Sequence, residues 1–196
     1  MKYTIPAILF AGGKSSRMGE DKALMPFQSY STLSEFQYHK LQQWFSEIYL
    51  SSKTDKFPFT AKVIQDTYQE SSPLVGLISV FETLECDAVF VLSVDAPMVD
   101  GNVVKKLWDA YQEDVKRENS NLHAIIAQSP SGVQPLCGIY KRSILPDVKT
   151  NFNAHNHRLK ALLPKHSTNI VHFKDNTPFT NVNTKKEYLN LLAKLN

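Results

Sequence analysis

Short apolar runs alternate along the chain with segments in which apolar residues recur at the spacing of a helix. This alternation predicts an α/β fold in which helices flank a mainly parallel central sheet. Strand character is strongest in residues 88–94, which are rich in β-branched and apolar residues, as a strand buried on both faces requires. The seven predicted strands cover residues 4–10, 48–51, 61–65, 88–94, 123–128, 135–140 and 169–173.

Helical periodicity and terminal signals predict the remaining elements. Pro73 is a favoured helix start, Ser-Pro-Ser-Gly at 129–132 is a turn signal, and the charged run 113–118 is interpreted as a solvated face. The predicted helices lie within residues 33–48, 74–84, 102–118, 155–163 and 185–195. No repeat or linker divides the 196 residues, so we predict a single domain over 1–196.

Composition and charge exclude several function classes. A net charge of +3 is too small to indicate wholesale binding of nucleic acid. No apolar run reaches the roughly 18 residues of a membrane span and no signal-peptide pattern is present, so we expect a cytoplasmic protein without membrane contact. Cys86 and Cys137 have apolar neighbours and are predicted to be buried free thiols. The histidines lack zinc-ligand spacing, and no nucleophile elbow is present.

The strongest chemical signal is AGGKSSRMGEDK at residues 11–22, directly after the first predicted strand. Its paired glycines let the backbone approach a ligand closely, and successive N–H groups in such a loop form an anion site. Lys14, Arg17 and Lys22 add three cations, which suit a triphosphate. The spacing matches neither the P-loop nor the dinucleotide-binding fingerprint. We therefore predict nucleotide binding by a different type of glycine-rich loop.

Asp95 directly follows the strand predicted over 88–94 and would lie at its carboxyl end. Ligands of open α/β sheets bind outside these ends, so Asp95 and the glycine-rich loop are expected to face one crevice. A carboxylate beside bound phosphates is a natural Mg²⁺ ligand. The alternative is that Asp95 caps the following turn. The neighbouring loop favours the Mg²⁺ role.

Three further features of the sequence each have a functional and a structural explanation. Asp66 follows another predicted strand and would meet a ribose hydroxyl or a metal-bound water, or else close a turn. Gly76 lies inside a helix, where it costs about 1 kcal/mol relative to Ala; either a ligand base packs against it or the helix packs tightly there. Asn181 and Asn183 alternate in an extended segment and would face one ligand or metal, or else form a helix cap.

These motifs together resemble molybdenum cofactor guanylyltransferases. Residues 11–22 are similar to that family's signature L-A-G-G-x-S-x-R-M-G-x-D-K. The resemblance continues in chain order through Ile-Gln-Asp at 64–66, Ser-Pro-Leu-Val-Gly at 72–76, Ser-Val-Asp-Ala-Pro at 93–97, Gln-Pro at 134–135 and Asn-Val-Asn-Thr at 181–184. It implies a Rossmann-like nucleotidyltransferase domain that transfers GMP from GTP to molybdopterin, or to the molybdenum cofactor, and releases pyrophosphate.

The resemblance also implies roles for individual residues. Arg17, Lys22 and Asp95 would be catalytic, with Arg17 and Lys22 on the triphosphate and Asp95 holding Mg²⁺. The implied nucleotide-binding residues are Phe10, Ala11, Gly12, Gly13, Arg17, Lys22, Asp66, Pro73, Leu74, Gly76 and Asp95. The implied acceptor-binding residues are Gln134, Asn181 and Asn183.

The chain departs from the family pattern at three places. Phe10 stands where Leu is usual, and residues 28–32 lack the usual Gly and Pro. Residues 151–158 lack the Gly that often precedes the family's Arg, which leaves Arg158 and Lys160 without an assigned role.

Three alternative functions remain open at this stage. A cytidylyltransferase acting on the same pterin typically has Ala at the position of Gly12, and the absence of that methyl favours a purine here. Transfer to a sugar phosphate or a phospholactate is a second alternative. The third is a non-catalytic module that delivers the cofactor, with delivery proteins and apo-molybdoenzymes as partners. The presence of both Lys22 and Asp95 favours the active enzyme.

Overall fold

Seven strands pair into one mixed sheet in this computed structural model, which describes residues 2–13, 19–118, 120–163 and 167–195. The strands are β1 (Ala7–Phe10), β2 (Ile48–Ser52), β3 (Lys62–Gln65), β4 (Ala88–Ser93), β5 (Ala124–Ser129), β6 (Gly132–Lys141) and β7 (Thr168–His172). Their order across the sheet is β3-β2-β1-β4-β6-β5-β7. Strand β6 runs antiparallel to β4 and β5, and the other pairings are parallel. The predicted α/β class with a mainly parallel sheet is confirmed.

Helices cover both faces of this sheet. They are α1 (Leu33–Gln42), α2 (Pro73–Thr83), α3 (Gly101–Val115), α4 (Leu145–Asn153), α5 (Leu159–Leu162) and α6 (Lys185–Leu195). Short 3₁₀ turns occupy Lys22–Leu24, Arg142–Ile144 and Thr177–Phe179. Among the helices that the structure describes, none is long and apolar enough to cross a membrane.

The two faces of the sheet carry two separate apolar cores, because successive side chains of a strand point to opposite faces. Leu9 of β1 joins the core shared with α1, α3 and α6. Its neighbours Ile8 and Phe10 join the core shared with α2, α4 and α5. Strand β4, next to β1, is likewise covered on both sides, which explains why its sequence is apolar and not alternating.

Side-chain caps fix where α2 and α6 begin. At α2, the Ser72 hydroxyl accepts a hydrogen bond from the Val75 N–H at 3.3 Å. At α6, the Thr184 hydroxyl accepts from the Glu187 N–H at 3.2 Å, while the Glu187 carboxylate accepts from the N–H groups of Asn183 and Thr184 at 2.9 Å. This reciprocal capping box makes Thr184 the cap and leaves the side chain of Asn183 available for another role.

One helix prediction near residue 155 is wrong, and one helix there was not predicted. The helix predicted over 155–163 is limited to Leu159–Leu162, because His155 has a φ of 55° and interrupts the helical path. The helix just before it, α4, was not predicted, although Pro146 in its first turn is a recognised start signal.

Two strands also start three residues away from the predicted position. Strand β6 starts at Gly132, three residues earlier than predicted, because a tight turn at positions 130 and 131 lets pairing begin at once. Gly132 has a φ of 122°, a conformation that favours glycine. Strand β1 starts at Ala7, and Pro6 directly precedes it, where its carbonyl accepts a hydrogen bond from the Phe90 N–H at 2.9 Å.

Two burial predictions need correction. Cys137 is buried as predicted, but Cys86 is only partly buried; both are free thiols. Burial raises the pKa of Cys137 to about 12. Within the run predicted as a solvated face, Asp114 is only 1% exposed and pairs with Lys141. Asp114 lies three residues after the buried Tyr111 and therefore shares the inward face of α3.

Candidate active site

Two adjoining cavities open at the carboxyl ends of the central strands, where an open α/β sheet is expected to bind its ligands. The first cavity has a volume of about 250 Å³ and the second about 350 Å³. Pro73, Ser93, Asp95 and Leu136 line both cavities. The predicted nucleotide-binding residues that line the first cavity are Phe10, Ala11, Gly12, Gly13, Lys22, Asp66, Pro73, Gly76 and Asp95.

Gly12 and Gly13, at the start of the glycine-rich loop, line the first cavity. Gly13 has a φ of 137°, so this position favours glycine. Gly12 has room for a side chain: an added methyl would lie 3.7 Å from Ser52 Cα and 4.0 Å from an Asp66 carboxylate oxygen. Residues 14–18 lie outside the described part of the chain. The roles given to Arg17 therefore stay predictions.

The Lys22 ammonium lies between two oxygen atoms from distant parts of the chain. Lys22 Nζ is 3.1 Å from Asp95 Oδ2 and 3.4 Å from Asn183 Oδ1. The Lys22 and Asp95 side chains are 17% and 22% exposed, so the pair remains accessible to a ligand. Three residues predicted from separate motifs thus meet beside the wall that the two cavities share.

The backbone holds Asp95 in place and leaves its carboxylate directed at Lys22. The Val94 N–H donates to the Phe10 carbonyl at 3.0 Å, which continues the pairing of β4 with β1 past the strand end. The Val182 N–H donates to the Asp95 carbonyl at 2.8 Å. Because these backbone bonds fix the turn, the arrangement favours a ligand-binding role for the Asp95 carboxylate over the turn-capping alternative.

Asp66 lies just past β3 and contributes its carboxylate to the first cavity. Its N–H donates to the Ser52 carbonyl at 3.0 Å, so its position is fixed by the edge of the sheet. Burial raises the pKa of Asp66, and the nearby positive charge of Lys53 partly opposes this shift. A partly buried acceptor near Gly12 suits a ligand hydroxyl or a metal-bound water, and that role stays a prediction.

The start of α2 brings Pro73 and Gly76, but not Leu74, to the first cavity. The Leu74 side chain is fully buried in the core beneath α2, so its predicted contact with the nucleotide is corrected. A Cβ atom on Gly76 would lie 2.2 Å from Cε1 of Phe10. The Phe10 ring therefore fills the space next to Gly76, and tight packing accounts for this glycine without a ligand base.

This packing predicts a stability effect at Gly76. We expect Gly76→Ala to destabilise the protein by about 1–3 kcal/mol, because the methyl group would overpack the space held by the Phe10 ring. Replacing Phe10 with Leu in the same chain removes ring atoms that the methyl would meet. Urea unfolding of the two single variants and the double variant measures the coupling, and strictly additive losses would contradict the packing explanation.

The second cavity contains two of the predicted acceptor-binding residues, Gln134 and Asn181. Gln134 Nε2 donates to the Ser129 hydroxyl at 3.1 Å and to the Gly132 carbonyl at 3.3 Å, so the β5–β6 turn orients this amide. Asn183, the third predicted residue, contacts Lys22 instead. The acceptor roles themselves stay predictions.

The second cavity also has a basic wall that the sequence left without a role. Arg158, Lys160 and His157 all line it, after the turn that ends α4. These side chains face a cavity that adjoins the first at Asp95. A wall of this charge suits an anionic acceptor.

A metal ion at this site would depend on few protein ligands. Within residues 2–13, 19–118, 120–163 and 167–195, no three His, Cys, Asp or Glu side chains lie close enough together to hold an ion by themselves. Asp95 and Asn183, however, already direct a carboxylate and an amide oxygen at one cation, the Lys22 ammonium. Oxygen donors of this kind suit Mg²⁺, which commonly takes one or two protein ligands and completes its shell with phosphates and water. The residues present therefore fit Mg²⁺ beside a bound triphosphate.

Comparison with known proteins identifies the family of the chain. Residues 7–170 match the family described as the MobA-like NTP transferase domain. The chain belongs to this family. A protein of Campylobacter jejuni named molybdenum cofactor guanylyltransferase is 33% identical over 190 residues, which cover 96% of this chain and 95% of that protein. A protein of Helicobacter pylori with the same name is 32% identical over 94% of this chain and 90% of its own length. The chain is thus a nucleotidyltransferase.

A solved structure of a MobA-type protein shares the fold. Molybdopterin-guanine dinucleotide biosynthesis protein A from Archaeoglobus fulgidus superposes with a TM-score of 0.81 at 15% identity, over 97% of this chain and 98% of that chain. At this identity the likeness concerns the fold alone. It agrees with the nucleotidyltransferase-like arrangement of a mostly parallel seven-stranded sheet.

Sequence reasoning missed some polar residues of the site. Ser51 lines the first cavity from the end of β2, and the strand-end rule that selected Asp66 and Asp95 would also have selected it. His157 lines the second cavity from an irregular segment, and no spacing or motif in the sequence indicates it.

Proposed function

We propose that this protein transfers GMP from GTP to molybdopterin, or to the molybdenum cofactor, and releases pyrophosphate. The observation that supports this best is the position of Asp95, paired with Lys22, where the two cavities adjoin. Nucleotidyl transfer requires a nucleotide and an acceptor on opposite sides of one reacting phosphorus. Asp95 lines both cavities and would therefore lie beside that phosphorus. The names of the bacterial relatives support the same reaction and acceptor.

The first cavity is the proposed site of GTP. The backbone of the glycine-rich loop and the Lys22 ammonium would contact the phosphates, with Arg17 as a second cation. Asp66, as a partly buried acceptor, would receive a hydrogen bond from a ribose hydroxyl or a metal-bound water. These assignments suit a ligand with a polar sugar and a highly anionic tail.

The second cavity is the proposed site of the acceptor. Gln134 and Asn181 would provide amide groups for a pterin, and Arg158 and Lys160 would attract the acceptor's phosphate. Asn183 lies where the two ligands would meet, since its side chain contacts Lys22.

The proposed chemistry is an in-line displacement at the α-phosphorus of GTP. A phosphate oxygen of the acceptor forms the new bond to phosphorus as the bond to the departing pyrophosphate breaks. A general base is not required, because a phosphate is already ionised near neutral pH. Lys22 and Arg17 would offset the charge that builds on the pyrophosphate, and the two cavities would hold the reactants in line.

Mg²⁺ is part of the proposal, with Asp95 as its main protein ligand and Asn183 close enough to assist. When bound, it supplies neutralisation of phosphate charge and a fixed orientation of the phosphate oxygens. The Lys22 side chain, which now contacts both oxygens, would then be directed to the triphosphate.

A nucleotide panel tests this proposed function. GTP, CTP, ATP and UTP are each supplied with Mg²⁺ and either molybdopterin or a sugar phosphate, while pyrophosphate release and the mass of the product are measured. We expect the fastest release with GTP and a guanine dinucleotide product. Preference for CTP would support the cytidylyl alternative, turnover only with sugar phosphates would support that class, and the absence of turnover would support a binding module.

Gly12 provides a test of base selection. We expect Gly12→Ala to weaken the binding of GTP more than that of CTP, because the methyl narrows the first cavity and a purine needs more room than a pyrimidine. The fold should tolerate the change, since the nearest atom to the new methyl would be 3.7 Å away. Affinities for both nucleotides and the melting temperature are measured. If Gly12→Ala weakened the binding of GTP and CTP equally, Gly12 would not explain a preference for a purine.

A further inference from the structure

The segment that joins β2 to β3 brings Lys56 to both ends of the glycine-rich loop. Lys56 Nζ donates to the Ala11 carbonyl at 3.2 Å, where the loop leaves β1. The same ammonium pairs with the Asp21 carboxylate, where the loop ends. Residues 12–20 lie between these two contacts. One side chain thus connects the two ends of the loop that faces the first cavity.

Lys56 is held by its surroundings and is not a free surface lysine. Its side chain is 22% exposed, and its ammonium lies 5.8 Å from the ring centroid of Phe57. Phe57 and Phe59 pack against the core, and Phe59 meets the Tyr38 ring of α1 at a centroid distance of 5.6 Å. Because these neighbours anchor the segment, little conformational freedom is lost when Lys56 bridges the loop ends.

Asp21 links this bridge to the proposed catalytic lysine. One Asp21 carboxylate oxygen pairs with Lys56, and the other accepts from the Ala23 N–H at 3.0 Å and caps the Lys22–Leu24 turn. That turn directs Lys22 Nζ to within 3.1 Å of Asp95. The turn that carries Lys22 is therefore capped by the same carboxylate that Lys56 contacts.

We propose that Lys56 is a positioning residue that holds Ala11 and Asp21 together and so fixes Gly12 and Gly13 where the triphosphate would bind. The proposal rests on the proposed function only in placing a nucleoside triphosphate in the first cavity. Fixing these two residues before the ligand arrives reduces the ordering required on association. Apparent affinity scales with the fraction of molecules in which the binding groups are correctly placed. Lys56 therefore acts on nucleotide affinity more than on the chemical step.

The test compares Lys56→Met with Lys56→Arg and with a matched surface control. Lys105→Met removes the same charge from an exposed lysine that pairs with Asp109 at 2.6 Å on α3. We expect Lys56→Met to raise KM for the nucleotide about tenfold with kcat nearly unchanged, which is the signature of lost ground-state binding. Lys56→Arg should recover much of the affinity, because a guanidinium can donate to both acceptors at once. Lys105→Met should change neither constant.

A double-mutant cycle with Asp21→Asn tests whether Lys56 acts through its contact with Asp21 or by attracting the triphosphate directly. The bridge predicts that Lys56→Met has little further effect once Asp21→Asn has removed its partner. Additive effects, an unchanged KM in Lys56→Met, or a loss confined to kcat would each overturn the proposal. If the wild type prefers another nucleotide, the proposed function fails, and the same comparison is made with that nucleotide. Absence of any nucleotide binding by the wild type would overturn both.

Discussion

Asp95→Ala lowers the rate of pyrophosphate release by about 10³-fold if Asp95 holds the metal beside the reacting phosphate, because a lost charge-stabilising contact of this kind costs roughly 4 kcal/mol. Asp95 lines both cavities, and its carboxylate lies 3.1 Å from the Lys22 ammonium, which also contacts Asn183. Asp95→Asn keeps the size of the side chain but not its charge. We therefore expect it to lose nearly as much activity as Asp95→Ala.

The fold should survive this substitution, so the activity loss can be interpreted. The turn is held through the Asp95 carbonyl, which accepts from Val182 and does not depend on the side chain. The Lys22 ammonium keeps its contact with Asn183 when the Asp95 carboxylate is removed, so Asp95 is not its only partner. Asp109→Ala, which breaks the exposed pair on α3, is the matched control for the loss of a carboxylate. Near-wild-type turnover in Asp95→Ala, with an unchanged melting temperature, would refute the assignment.

The central part of the site could be predicted from the sequence because it depends on a local rule. Asp66 follows the edge strand β3 and Asp95 follows the buried apolar strand β4, and parallel strands bring their carboxyl ends to one side of the sheet. The pairing of β1 with both β2 and β4 then places these residues beside the glycine-rich loop. The extended segment ahead of α6 predicted that Asn181 and Asn183 would face one ligand or metal. The sequence could not show which of the two would contact Lys22, and in the structure it is Asn183.

Contacts between distant segments could not be predicted in this way. Nothing near Lys56 in the sequence indicates that it meets Ala11 and Asp21, because that contact depends on the path of the chain between β2 and β3. His157 and Arg158 reach the second cavity only because α4 ends in a turn, and the sequence predicted a continuous helix there instead. No glycine marks this turn, and the spacing of apolar residues alone does not reveal it.

Gly76 shows why a single local signal can have two explanations. A glycine inside a helix indicates close approach of something to the backbone, but it does not identify what approaches. The structure shows that Phe10, the residue that departs from the family pattern, fills this space. Leu74, two residues earlier, faces the core, because only one side of the first turn of α2 faces the cavity.

Lys22→Ala is expected to lower kcat/KM by about 10²-fold or more, because it removes a preorganised cation from the side of the departing pyrophosphate. The effect should appear in nucleotide affinity as well as in turnover, since the ammonium would contact the phosphates both before and during the reaction. Lys22→Arg keeps the charge but spreads it over a planar group, so we expect only partial recovery. Lys105→Ala on the surface of α3 is the control for loss of a lysine. Binding is measured by calorimetry with GTP and turnover by pyrophosphate release. If Lys22→Ala and Arg17→Ala both leave GTP affinity unchanged, the glycine-rich loop does not bind the triphosphate and the assignment of the first cavity fails.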